Sequence, residues 1–167
     1  MWFYNPQKDK DSRWNKLVAF FDAPYCHSEL QFENGLSCTI YMNTKVKFIQ
    51  REFSSTNYTC LQIECTRSQY DKAYILASEM EGQDFGMFNM INSLLKLPIN
   101  VNGTYCSKLN AEILVKSGIL NENVNYNTIT PSGLFREVYN VIRHPIESNL
   151  AKPFGDGITK AIAFRNI

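Results

Sequence analysis

The stretch HSELQFENGLSCTIYM, residues 27–42, alternates apolar and polar side chains on both sides of Asn34-Gly35, a strong short-range signal for a β-hairpin. Successive strand residues point to opposite sides. A turn centred near Asn34 therefore places Leu30, Phe32, Leu36, Cys38, Ile40 and Met42 on one face, and His27, Glu29, Gln31, Ser37, Thr39 and Tyr41 on the other. One face can enter a core, while the other gathers an imidazole, a carboxylate and several hydroxyls. The alternating runs VKFIQREF (46–53) and YTCLQIECT (58–66) extend the sheet as an antiparallel meander, with residues 54–57 as a turn and no strand expected after residue 66. MWFY at the start reads as a further short strand.

Elsewhere the period is helical. DSRWNKLVAFF sets Trp14, Leu17, Val18 and Phe21 on one helical face, with Asp11 or Ser12 as cap. SQYDKAYILASEMEG begins at a cap-like Ser68 and closes on Gly82, and FGMFNMINSLLKL runs to Pro98. In NGTYCSKLNAEILVKSGIL, Thr104 is the natural N-cap, Cys106 falls in the first turn with Leu109, Ile113 and Leu114 on its face, and Gly118 closes the helix. A last helix is expected in TPSGLFREVYNVI, and residues 143–167 carry no clear pattern. A chain of 167 residues is long enough for one core, so a single domain, 1–167, of class α+β is expected.

Charge excludes little chemistry but names no partner: 17 Lys and Arg face 16 Asp and Glu, without a basic stripe for nucleic acid. Five cysteines, at 26, 38, 60, 65 and 106, form an odd set without the paired spacing of a zinc site. Neither a disulfide framework nor a metal or other cofactor is expected. No run approaches the ~18 apolar residues of a membrane span. The four apolar residues followed by charges at the start reverse the order of a secretory signal. The expectation is a soluble protein of a reducing, cytoplasmic compartment, in which the sequons at Asn57 and Asn102 are chance matches.

A thiol at a helix N-terminus meets the positive end of the helix dipole and unpaired N–H groups, which favour its thiolate. A buried structural cysteine satisfies the same pattern. The partner decides between them, because a thiol hydrolase needs an imidazole to take and return the proton, and the chain holds only His27 and His144. His144 precedes Pro145 in the unpatterned tail. His27 opens a strand whose polar face also carries Glu29, with Thr39 roughly opposite Glu29 across the turn. The candidate site is thus Cys106 with His27, Glu29 and Thr39, and the other four cysteines read as structural.

YCHSELQFENG early, antiparallel strands around it, and GTYCSKLNAEIL on a later helix resemble the circularly permuted branch of the NlpC-type papain-like cysteine hydrolases, in which histidine precedes cysteine. That branch includes bacterial hydrolases, proteins of poxviruses and other large DNA viruses, and relatives of lecithin retinol acyltransferase. The resemblance spans about residues 20–139, and FGMFN and TPSGLF look like the viral members. It implies a permuted papain-like fold, an antiparallel sheet or small barrel packed against the cysteine helix. By the same resemblance Cys106 is the nucleophile and His27 the general base. In the family a polar residue of the next strand orients the imidazole; here that strand offers Ser37, Thr39 and Tyr41, and Glu29 is the alternative on the histidine strand itself. Three functions stay open: a thiol hydrolase of a peptide, ubiquitin-type isopeptide or other amide; a lipid acyltransferase or phospholipase, which calls for an apolar substrate groove; and an inactive viral binding or structural protein.

Overall fold

The computed structural model describes residues 1–6, 13–97, 102–143 and 160–162. The protein is α+β. An antiparallel sheet is built from β1 (Trp2–Tyr4), β2 (His27–Gln31), β3 (Leu36–Thr39), β4 (Lys47–Gln50) and β5 (Tyr58–Cys60), in the order β4-β3-β2-β1-β5. The hairpin forms as its sequence dictates. Phe32 and Leu36 close a three-residue loop, Gly35 takes φ 81°, and the Asn34 side chain accepts the Leu36 N–H at 3.0 Å. The register Leu30↔Cys38 and Gln31↔Ser37 follows.

The expected meander is corrected after β4. The next strand, β5, does not continue beside β4 but pairs with β1 at the far edge of the sheet. A turn closed by the Asn57 and Tyr58 N–H groups donating to the Ser54 carbonyl leads into β5, and before it residues 51–54 extend over the sheet. They cross its polar face: Phe53 stacks on Trp2 at 4.5 Å, and the Arg51 carbonyl accepts from Gln31 Nε2 at 3.2 Å. Glu29, Ser37 and Thr39 are consequently buried rather than solvated. The run 58–66 also splits, and β6 (Ile63–Cys65) pairs with β7 (Lys160–Ile162) in a separate ladder, a strand beyond the point where strands were expected to end.

The apolar face carries Phe3, Leu30, Phe32, Cys38 and Ile40, all essentially inaccessible, and packs on helix α4 (Cys106–Lys116). Helix α4 is enclosed by the sheet, by α2 (Arg67–Glu79), by α5 (Pro131–Arg143) and by a 3-10 turn at Tyr126–Thr128. Its Leu109, Ile113 and Leu114 are fully buried, each worth about 2 kcal/mol in area removed from water. Gly118 closes the helix with φ 75°, as expected.

The start of one helix and the buried face of another differ from expectation. Helix α2 begins two residues earlier, capped by Thr66 in a reciprocal capping box with Gln69 instead of by Ser68. Helix α1 (Arg13–Phe21) buries Val18 and Ala19 against Cys26, Met90 and Tyr105, and leaves Leu17, Phe20 and Phe21 exposed. Among the described residues the α1 contact is made by Val18 and Ala19, so of the apolar stripe Val18 turns in while Leu17 and Phe21 face out. The Asp11 and Ser12 caps, the Trp14 side chain, Pro98 and His144 lie outside the described residues.

Candidate active site

Cys106 is the first residue of α4, and the chain is brought there by two glycines. Gly86, just before α3 (Met87–Leu94), and Gly103 pass so close that a Cβ on Gly103 would lie 2.7 Å from the Gly86 Cα. Gly86 N–H donates to the Thr104 carbonyl at 2.6 Å, and the Asn89 side chain donates to the Gly103 carbonyl at 2.7 Å. The FGMFN run is therefore the clamp on the segment leading into the cysteine helix. From the other side, Tyr105 Oη and Ser107 Oγ donate to the carbonyls of Asn127 and Ile129. Because Gly103 also has φ 97°, Gly103→Ala should cost about 2–3 kcal/mol, measured as the loss of unfolding free energy in urea.

Thr104 is not the cap. Tyr105 occupies the N-cap position without a side-chain hydrogen bond, and Thr104 Oγ1 is buried with no hydrogen-bond partner. The first-turn N–H groups of α4 are thus left without a side-chain cap, and the backbone N–H of Ser107 favours a negative charge on the Cys106 sulfur. An anion there meets these N–H groups and the positive end of the helix dipole.

His27 lies in a row of aromatic residues across one end of the sheet. Tyr58 pairs with Tyr4 and Tyr4 with His27, and Tyr41 from beyond β3 stacks on the imidazole, with ring centroids 4.9 Å apart. The Cys106 thiol and the His27 side chain line the same cleft, close enough for their charges to act on each other. His27 Nε2 lies 3.2 Å from Thr39 Oγ1 and 3.4 Å from Glu29 Oε1, which leaves Nδ1 for the thiol. The four residues singled out from the sequence are therefore brought together, and both candidates for the orienting group touch the same ring nitrogen.

The electrostatics of the pair are mutual. Burial alone would push the Cys106 thiol up, but the His27 charge, its hydrogen bond and the backbone N–H groups of Ser28 and Ser107 outweigh it and hold the thiol below its ordinary range. Burial likewise works against charge on His27, and the Cys106 thiolate and Glu29 outweigh it, so the imidazole is held well above its ordinary range. Both shifts run toward the charged forms, so each partner favours the thiolate–imidazolium state of the other. Burial pushes Cys38 up to about 12 and Cys65 up to about 11, and raises Cys60 as well, so these thiols stay protonated at neutral pH.

Glu29 has no accessible surface. Its Oε1 accepts from Arg51 Nη1 at 2.7 Å and from Tyr41 Oη at 2.9 Å, and its Oε2 accepts from Ser37 Oγ at 3.1 Å. Burial opposes its charge, but the hydrogen bond and charge of His27, then Arg51 and Tyr41, keep its carboxyl below the usual range. Arg51 was not anticipated. It occupies a position that reads as strand surface, and only the crossover turns it over the polar face. The nearby aromatic residues Phe53 and Tyr58, over whose rings its guanidinium sits at 4.7 and 5.3 Å, were the available signal.

Cys106 is 7 % exposed and opens into a cleft of about 290 Å³. Tyr4, Asn15, Tyr41, Arg51 and Tyr58 make its polar side, and Val18, Ile40, Met42, Phe85 and Met90 its apolar side. A larger groove of about 670 Å³, near Asp22 and Arg136, includes none of the four site residues. Among the described residues no cluster of His, Cys, Asp and Glu is suited to hold a metal ion, and no helix is long and apolar enough to cross a membrane. The chain matches no family model, no curated protein and no solved structure.

Proposed function

We propose that the protein is a thiol hydrolase with the permuted papain-like arrangement, acting on an acyl carbonyl of an amide, peptide or isopeptide. The observation that carries this reading is the juxtaposition of His27 with the buried Cys106 at an uncapped helix N-terminus, on the wall of one cleft. The Cys106 thiolate attacks the carbonyl carbon, and its π electrons move to the oxygen, which faces the first-turn N–H groups of α4. Collapse expels the leaving group, which takes the proton held by His27, and a thioester remains on Cys106. Neutral His27 then takes a proton from water, the hydroxide adds to the thioester, and the acid and the starting thiolate–imidazolium pair are released.

Glu29 bears on the inactive alternative. That reading rests on the lack of a carboxylate on the third strand, and a carboxylate at 3.4 Å from His27 Nε2 supplies the function from the histidine's own strand. A second substrate class, acyl lipids, is favoured by one observation: Leu17, Phe20 and Phe21 on α1, Met42, and Phe88 on α3 are exposed on the elements that also wall the cleft.

An electrophilic probe decides the chemistry and a substrate panel the class. Iodoacetamide at pH 6 should modify Cys106 ahead of the other four cysteines, read by peptide mass spectrometry; a Cys106 no faster than a free thiol overturns the reading. Release of monomer from ubiquitin chains or cleavage of peptide amides supports the first class, and release of fatty acid from phospholipid vesicles the second. Cys106→Ser should abolish whichever turnover is found.

A further inference from the structure

Among the described residues, Arg51 is the one cation within salt-bridge distance of Glu29 apart from His27. Its placement is strongly determined. The guanidinium donates through Nη1 to Glu29 Oε1 at 2.7 Å and to Tyr41 Oη at 2.5 Å, and through Nη2 to Tyr58 Oη at 3.1 Å. Phe53 and Tyr58 hold its plane, and Gln31, itself fixed by Trp2 Nε1 at 2.8 Å, holds its carbonyl. We propose that Arg51 is a positioning residue of the catalytic centre: it fixes Glu29 as a charged, acceptor-only partner for His27 Nε2–H and so sets the pH range in which Cys106 is reactive. The proposal rests on the thiol-hydrolase reading and deepens it.

The physical argument concerns what Glu29 becomes without the guanidinium. An ionised carboxylate can only accept, so it selects the ring state in which Nε2 carries a proton and Nδ1 is free to exchange one with the thiol. A protonated carboxyl can donate to Nε2 instead, which leaves the proton on Nδ1 and removes the acceptor from the thiol. Burial favours that second state. The groups facing Glu29 are His27 on its own strand, Ser37 on β3, Tyr41 after β3, and Arg51 and Tyr58 from the crossover and β5, while Cys38 lies on the opposite face of β3. Lys47 sits over the Tyr41 ring at 5.5 Å, without contact to the carboxylate. Of these, Arg51 is the cation that stays charged at every relevant pH.

The test is the pH dependence of Cys106 alkylation by iodoacetamide in the full-length chain. Wild type should give a high rate that is flat through neutral pH and falls on an acid limb. In Arg51→Gln the acid limb should move up by about one to two pH units, with the rate above pH 8 little changed. Arg51→Lys should fall between the two, since it restores a cation but cannot span Glu29, Tyr41 and Tyr58 together; this variant serves if the glutamine form does not fold. In a Glu29→Gln background the Arg51→Gln shift should vanish, because there is no carboxyl left to titrate. A limb that superimposes on wild type in folded Arg51→Gln or Arg51→Lys, or a rate lowered equally at all pH values, overturns the proposal. A wild type with no accelerated Cys106 at pH 6 instead overturns the thiol-hydrolase reading on which it rests.

Discussion

His27→Ala should slow alkylation of Cys106 at pH 6 by on the order of 100-fold or more, while leaving the rate at pH 9.5 within a few-fold of wild type. An ordinary thiol with a pKa near 8.5 is about 0.3 % thiolate at pH 6, and in the folded protein the His27 charge is the largest of the effects that lower the Cys106 thiol against the cost of its burial. The signs can be followed for each partner. The raised value of His27 keeps the imidazolium present until the pH climbs through it, and the lowered value of Cys106 keeps the thiolate present until the pH falls through it. Between the two the pair is fully charged, so the wild-type rate is flat there. Removing the imidazole removes the cation and one hydrogen bond, and burial then pushes the thiol upward. At high pH the thiolate forms in both proteins, and the difference closes. A variant that lost reactivity through misfolding is recognised in the same experiment, because it would also expose the buried Cys38 and Cys65 to the reagent. Equal rates at pH 6 would show that the helix N-terminus alone makes the thiolate, and would remove His27 from the mechanism. Turnover of a substrate should fall further, by 10²–10⁴-fold, since general acid–base transfer is lost as well.

How much of this was legible in the sequence depends on distance along the chain. The hairpin register is set by three turn residues and alternation, so the opposition of Glu29 and Thr39 could be read directly, and with it the cluster around His27. The pairing of His27 with Cys106 spans 79 positions and was reached through chemical need and a resemblance, not through local pattern. Arg51 could not be read in this way. Its role depends on residues 51–57 crossing the sheet to pair β5 with β1, and strand alternation is the same whether a strand pairs with its predecessor or with the far edge. Thr104 was misjudged for a related reason. Its residue type suits an N-cap, but the Gly86–Gly103 crossing fixes its backbone in a bridge to Phe85, one residue too early to cap α4. In α1 the sequence carries more apolar positions than one helical stripe needs, so spacing alone does not say that Val18 and Ala19 turn inward while Leu17 and Phe21 stay out.

Glu29→Ala should lower stability by about 3 kcal/mol near pH 7, the larger share arising from what it leaves behind. Arg51 is 28 % exposed at its side chain and would keep Tyr41 and Tyr58 as partners, but it would lose its only carboxylate among the described residues. Ser37 Oγ, fully buried, would lose the acceptor it uses at 3.1 Å. His27 would lose the group at Nε2 that supports its charge, so Cys106 reactivity at pH 6 should fall in the same variant, by less than in His27→Ala because Thr39 still lies 3.2 Å from Nε2. The pH dependence identifies the charge as the cause. Glu29 is held below the usual carboxylate range in the folded protein, so its contribution is complete above the unfolded value of about 4.3 and is lost as the pH falls through the folded value. Urea unfolding at pH 7 should therefore separate wild type from Glu29→Ala by the full amount, and the gap should narrow steadily below about pH 4 as the wild-type carboxyl takes up its proton. A gap that stayed constant down to pH 2 would mean that the loss comes from packing alone, and that the carboxylate at the base of the site is not held as an anion.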